Sequence, residues 1–285
     1  MPILVGTCAW TDHDGFYPPG LPQGARLGYY AARFPLVEVD STFYGLPRAE
    51  TVENWVRQTP PGFRMDVKAE KRMTGHERAL SHPQRLAACR EFAERMAPLR
   101  EAGRMGPVLL QFPPWHVRSP QAAEELAQTR AALLGFDVSV EMRNRSWYED
   151  GGEELLALLR SLGAAHVVAD EPQAGRGSVP FVPAVTARVS ILRLHGRNAQ
   201  AWYVRGESSR ERFDYLYGQE EILLLAQEAK ALAQEAAEVH VLFNNNARNY
   251  ALQNATEFAR AVGQARPQPA QPGLLFPDDP REVTS

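Results

Sequence analysis

Cysteine is scarce in these 285 residues: Cys8 and Cys89 stand far apart with no CxxC pair, which argues against both a disulfide framework and a structural zinc site. Histidine is scarce too. Of the seven, His13, His76, His82, His116 and His166 fall on loops, on helices or early in a strand, so a zinc centre has few ligands to draw on. No apolar run approaches the ~18 residues of a membrane span, and no basic-plus-apolar leader precedes the first apolar segment at Ile3, so the chain reads as cytoplasmic with no membrane partner. Neither sign of charge dominates. The 31 Lys and Arg residues against 34 Asp and Glu residues give a net charge of -3, which offers no global positive field for nucleic acid and leaves only a local basic cleft for it. GxxxxGK[ST], a GxGxxG after the first strand, HExxH and GxSxG are all missing, so nucleotide-fold, zincin and hydrolase-elbow mechanisms have no support.

What is present is alternation. Apolar, β-branched runs recur at Ile3 to Ala9, Leu36 to Phe43, Phe63 to Ala69, Pro107 to Phe112, Val138 to Met142, Ala165 to Asp170, Val189 to His195 and Val239 to Asn244. Helical patterns separate most of them, at Leu27 to Phe34, Ala49 to Gln58, Pro83 to Glu101, Pro120 to Leu134, Glu153 to Leu162 and Gln219 to Glu235, with a last one at Ala251 to Val262. Right-handed βαβ units in this number predict a (β/α)8 TIM-type barrel of class α/β, with an open doubly wound sheet as the alternative. The sixth helix is expected to be replaced by a long loop, because Glu171 to Ala187 is rich in Gly and Pro. Residues 1–264 read as one barrel domain and residues 265–285 as a Pro-rich tail. The Gly196 to Gly218 connection carries Trp202, Tyr203, Tyr215 and Tyr217, a candidate pocket wall.

Side chains alternate along a strand, so the apolar phase marks the helix-facing side and the other phase points into the barrel. By this rule the interior receives Glu38, Asp40, Asp66, Glu141 and Asp170 against Arg64, Lys68, Arg143 and Arg193, together with Gln111, His195, His240 and Asn244; Asn245 and Asn246 extend the polar set past the eighth strand. An ordinary barrel fills its core with Val, Ile and Leu, because an unpaired ion there costs several kcal/mol, roughly, after relaxation. The excess of polar groups toward the C-terminal strand ends marks a candidate site. The same near balance of charge is what an internal salt-bridge network would show, for example Glu38 or Asp66 with Arg64 and Glu141 with Arg143 or Arg193. His240, early in its strand, reads as a hydrogen-bonded core residue, and Cys8 as a small buried thiol.

The phrases VGTCAW, YYAARFPLVEVDSTFYGLP, GFRMDVKAEKRMT, GPVLLQFPP, VEMRNRSW, VVADEP, LRLHGRN with a following WY, and FNNN, from about Val5 to Arg260, together resemble the YecE-like proteins, a domain-of-unknown-function family numbered seventy-two. The resemblance implies a TIM-type barrel and supplies no settled activity. Members often read Ser-Gly-Trp where this chain has Cys8-Ala9-Trp10, Asn where it has Asp40 and Phe where it has Met142. A role that needs a neutral amide at position 40 is therefore altered here. The likeness sometimes drawn to sugar-isomerase and endonuclease barrels is fold-level analogy.

The chemistry these residues suggest is acid–base catalysis, hydrolase- or isomerase-like, on a polar, phosphate- or sugar-containing substrate, with no cofactor. Glu38, Asp40, Glu141, Asp170 and His195 are the candidate catalytic groups. Lys68, Gln111, Arg143, Arg193, Arg197, Asn244 and Asn245 would bind substrate, and Trp10, Trp147, Trp202 and Tyr203 would stack on it or cap the mouth. Two alternatives stand beside this reading. One is a divalent-metal phosphodiesterase, endonuclease-like or sugar-isomerase-like enzyme with Glu38, Glu141, Asp170 and His195 as ligands; the other is a non-catalytic barrel that binds an anion or single-stranded nucleic acid.

Overall fold

A computed structural model describes residues 1–13, 15–173, 178–202 and 209–264. Eight parallel strands close into a barrel in sequence order, with β1 pairing β8: β1 Ile3–Cys8, β2 Leu36–Val39, β3 Arg64–Lys68, β4 Met105–Phe112, β5 Val138–Met142, β6 Ala165–Asp170, β7 Val189–Leu194 and β8 Glu238–Phe243. The helices are α1 Arg26–Ala31, α2 Ala49–Gln58, α3 His82–Glu101, α4 Pro120–Ala132, α5 Glu153–Leu162, the single turn α6 Ser209–Arg212, α7 Gln219–Glu235 and α8 Tyr250–Ala261. Closure in strict order is the TIM-type topology, so the doubly wound alternative falls. Between β6 and β7 the described residues form no helix, and the loop is tied down instead by Glu171, whose carboxylate accepts from the Val179 amide at 2.7 Å.

Local chemistry explains the helix starts. Ser81 opens α3 in a capping box with Gln84, and Ser119 accepts from the Ala122 amide ahead of Pro120 in α4. β2 stops four residues sooner than its apolar run suggests, and β1, β3, β7 and β8 each stop one residue sooner. β2 ends at Val39 because the backbone turns at Asp40 into a 3-10 turn over Ser41–Phe43, and β1 ends at Cys8 because Ala9 turns left-handed at φ 64°.

The apolar faces behave as alternation requires. Val37, Val39, Met65, Val67, Val138, Val140, Val239, Val241 and Phe243 pack against the helix layer in the large core. Inside the barrel a smaller plug of Cys8, Leu36, Leu109, Ala165, Val167, Val189, Ile191 and Leu242 fills the interior. The plug includes Ala165 and Val167, so the inward phase of β6 is the odd-numbered one. Asp170 therefore points to the helix layer, a correction to the expected inward set: the small apolar residues of this strand fill the plug, and its polar face turns out to the covering loops, where His166 Nε2 lies 3.2 Å from the Val182 carbonyl and Asp170 accepts from the Tyr217 hydroxyl.

Two layers of charge border the plug. Near the N-terminal strand ends, His240 Nδ1 lies 2.8 Å from Asp66, its Nε2 lies 2.6 Å from Glu238, and Glu238 accepts from Arg64 at 3.2 Å. The other layer lies at the C-terminal ends.

Candidate active site

Arg193, fully buried on β7, is the hub of the upper layer. Its guanidinium grips Glu38 through Nε at 2.9 Å and Nη2 at 2.6 Å, and a third nitrogen, Nη1, bonds Glu141. Glu141 also accepts from Gln111 at 2.7 Å and from Arg143 at 3.0 Å, and Arg143 reaches on to Glu171 at 2.6 Å. His195 stands beside this chain with Nε2 at 3.5 Å from Glu141, while Asn244 Nδ2 donates to its Nδ1 at 3.0 Å. That second bond assigns the ring proton of neutral His195 to Nε2.

Burial and charge set these groups apart. Burial pushes the Glu38 carboxyl up to about 8, with the Asp40 charge adding to the rise and Arg193 opposing it. For Asp40 the burial penalty is outweighed by Lys68 and Arg193, and its carboxyl sits below its usual value. Glu141 is likewise buried, yet Arg193, His195 and Arg143 hold it well below the carboxylate range. Burial lowers His195 to about 4, so its imidazole is neutral at pH 7.

Above this layer opens a cavity of about 710 Å3, lined among others by Asp40, Lys68, Gln111, Arg143, His195 and Asn244. Asp40 and Lys68 lie 3.4 Å apart with side chains 27% and 16% exposed, whereas those of Glu38 and Glu141 are each 1% exposed. Asp40 is thus the carboxylate of the expected set that meets the cavity; Glu38 and Glu141 stand behind it in the ion network.

The other expected residues divide. Trp202 flanks the site, with the Arg143 guanidinium 5.3 Å from its ring and His195 6.3 Å away. Asp170 does not converge: it accepts from the Tyr217 hydroxyl at 2.6 Å and from Arg197 at 2.8 Å, which fastens the β7–α7 connection. Asn245 turns outward to Asn254 at 2.9 Å and to the Tyr215 carbonyl. Trp147 is buried against His116, and Trp10 packs edge-on against Trp55 at 5.9 Å. Tyr203 lies outside the described residues.

Glu171, Arg212, Phe213 and His76 belong to the site or its walls without having been expected there, and Asn246, expected to extend the polar set, lines the cavity. Glu171 was legible in principle, since a shift of one residue in the β6 phase exchanges it for Asp170.

The metal set of Glu38, Glu141, Asp170 and His195 does not form, because Asp170 faces away and Arg193 lies between the two glutamates. Among the described residues Cys8, Glu38 and Asp40 do offer ligand atoms within 4.8 Å of one another. Burial, with the Glu38 charge, pushes the Cys8 thiol well up, and Arg193 Nη2 lies 3.7 Å from its sulfur. This set thus presents a protonated thiol and a carboxyl already bound to a guanidinium, poor donors for a divalent ion.

A family model described as "Protein of unknown function DUF72" matches residues 4–275. The chain belongs to the DUF72 family. It is 35% identical to the UPF0759 protein YunF of Bacillus subtilis over 261 residues, 90% of this chain and 93% of that protein, and 34% identical to YecE of Escherichia coli K12 over 217 residues, 68% and 74% of the two chains. The DUF72 protein of Thermotoga maritima superimposes with a TM-score of 0.82 at 31% identity, over 93% of this chain and 100% of that one. A DUF72 protein of Enterococcus faecalis gives 0.79 at 29%, over 93% and 98%. A D-psicose 3-epimerase from Clostridium cellulolyticum, at 10% identity and a TM-score of 0.55, shares the barrel fold.

Proposed function

We propose that the barrel mouth of this DUF72 protein is an active site for proton-transfer chemistry on a small, polar, anionic substrate, of the hydrolase or isomerase kind. The observation that carries this reading is a pair of neighbouring carboxyls of opposite tendency: Asp40, held ionised at the cavity wall, and Glu38, pushed up to about 8 just behind it. Carboxyls whose environments separate their proton affinities are what acid–base catalysis requires. Asp40 takes the substrate proton, and Glu38 positions it and buffers its charge from within the Arg193 network. Neutral His195 and Asn244 offer hydrogen bonds to hydroxyl or carbonyl groups of the substrate.

The test has two steps. Sugar phosphates, sugar acids and neutral sugars are screened by thermal shift, and the stabilising compounds are followed by proton NMR in D2O for deuterium incorporation or bond cleavage. Asp40→Asn is expected to keep binding and to lose turnover by at least 100-fold, the usual scale of a general base. Turnover that survives in Asp40→Asn, or a screen in which no anionic compound raises the melting temperature, overturns the reading. Binding without turnover in the wild-type chain assigns the site to the non-catalytic alternative.

A further inference from the structure

The charges at the mouth are unevenly committed. Lys68 serves Asp40 at 3.4 Å, Arg143 serves Glu141 at 3.0 Å and Glu171 at 2.6 Å, and Arg193 is enclosed between Glu38 and Glu141. Drawing Arg143 or Arg193 onto a ligand leaves a buried carboxylate without its counter-ion, which is costly, and drawing Lys68 away takes the counter-ion from Asp40. Arg212 differs. It lines the cavity as the last residue of α6, it is exposed, and among the described residues no carboxylate pairs with it. Asp12, the other charged group on the rim, accepts from the Thr11 hydroxyl at 2.8 Å.

The surroundings of Arg212 are nevertheless fixed. Asn198 Nδ2 donates to the carbonyls of Glu211 and Asp214, each at 3.2 Å, and Arg248 pairs with Asp214 at 3.1 Å. Phe213, next in the chain, also lines the cavity and packs 6.1 Å from both His195 and Trp202. An uncommitted guanidinium is thus held at the wall of a polar cavity by a neighbour that packs on the site itself.

We propose that Arg212 binds the charged end of the substrate, and that this end is an oxyanion, a phosphate or a carboxylate. The proposal rests on the reading of the mouth as a substrate site. A guanidinium presents five donors in a planar fork that matches either oxyanion, and here it meets the ligand without breaking an ion pair. Substrate orientation follows: the charged end lies toward the β7–α7 connection, and the reacting end lies toward Asp40 at the end of β2.

The test is equilibrium binding of inorganic phosphate and of acetate, at constant ionic strength, to the wild-type chain and to Arg212→Ala and Arg212→Lys. Arg212→Ala is expected to weaken the better of the two anions at least tenfold with an unchanged melting temperature in its absence, and Arg212→Lys to restore part of the loss. Which anion binds more tightly to the wild type tells a phosphate end from a carboxylate end. Wild-type affinity in Arg212→Ala overturns this assignment and leaves the mouth as an anion site. A wild-type chain that binds neither anion overturns both the assignment and the reading beneath it.

Discussion

Arg193 has no exposed surface, yet it is the counter-ion of the Glu141 carboxylate and holds the Glu38 carboxyl through two hydrogen bonds. Replacing a buried ion by a neutral side chain strands its partners, and the stranded charge costs more than the lost bond. Arg193→Met is therefore expected to lower the free energy of unfolding by about 3–5 kcal/mol. Urea denaturation checks this, and the triple variant that also carries Glu38→Gln and Glu141→Gln should recover much of the loss. If Arg193→Met costs no more than an ordinary surface change, the network is not what holds these carboxylates. The same arrangement explains why Glu38 and Glu141 look alike in sequence and differ in chemistry. Both are inward glutamates near the ends of their strands, but Glu141 sits among Arg193, Arg143 and His195, whereas Glu38 shares its surroundings with the Asp40 charge.

At the scale of elements, the strand ends do most to place the site. Leaving β2 at Asp40 lets its carboxylate reach the cavity while Glu38, two residues earlier on the same face, stays under it. Leaving β1 requires φ 64° at Ala9, a left-handed conformation in which a Cβ crowds the following carbonyl. Ala9→Gly is expected to stabilise the protein by roughly 0.5–1 kcal/mol, the strain relieved less the extra chain entropy of glycine. Chemical denaturation reads this directly, and a loss of stability would show that the Ala9 methyl packs more favourably than its backbone is strained. The β7–α7 connection is fixed by Asp170, Arg197 and Tyr217, so these residues set the wall of the mouth without entering it. A charge at a strand end therefore served the loop beside it rather than the site.

Across the whole molecule, the two charge layers act on stability through pH. His240, with carboxylates at both ring nitrogens, is raised from 6.5 to about 9 despite burial, so between those values the folded chain keeps a proton that the unfolded chain has lost. Its contribution is complete below 6.5 and fades as pH rises through 9. Glu38, raised from 4.5 to about 8, has the same sign: the folded state holds the proton longer, and stability falls as pH rises through 8. Glu238, lowered to about 2 chiefly by its hydrogen bond with His240, and Glu141, lowered well below 4.5, act oppositely and withdraw stability in acid. Burial lowers His76, His116, His166 and His195 to about 4, so each withdraws stability as pH falls below 6.5. The melting temperature is expected to peak at about pH 6.5–7 and to fall toward pH 9.5. A flat profile from pH 6 to 9.5 would count against the protonated His240. His240→Gln should remove much of the alkaline slope.

The barrel was legible because its evidence is periodic: apolar alternation repeats along the chain, each strand needs helix cover, and parallel strands joined by right-handed crossovers have few ways to close. The inward phase of β2, β3, β5, β7 and β8 followed from the same alternation, and so did the concentration of charge at the C-terminal ends. Tertiary structure alone decided which charges meet. Ion pairing depends on distances between strands far apart in sequence, and Arg193 could as well have faced one glutamate as two. It decided the phase of β6, whose polar residues His166 and Asp170 bond the covering loops rather than the barrel interior, and so set Glu171 in the network and Asp170 outside it. It decided that Arg212, in a connection with no periodic pattern of its own, reaches the cavity. Local pattern specifies which face a residue occupies, whereas the packing of the whole barrel specifies its neighbours and hence its charge.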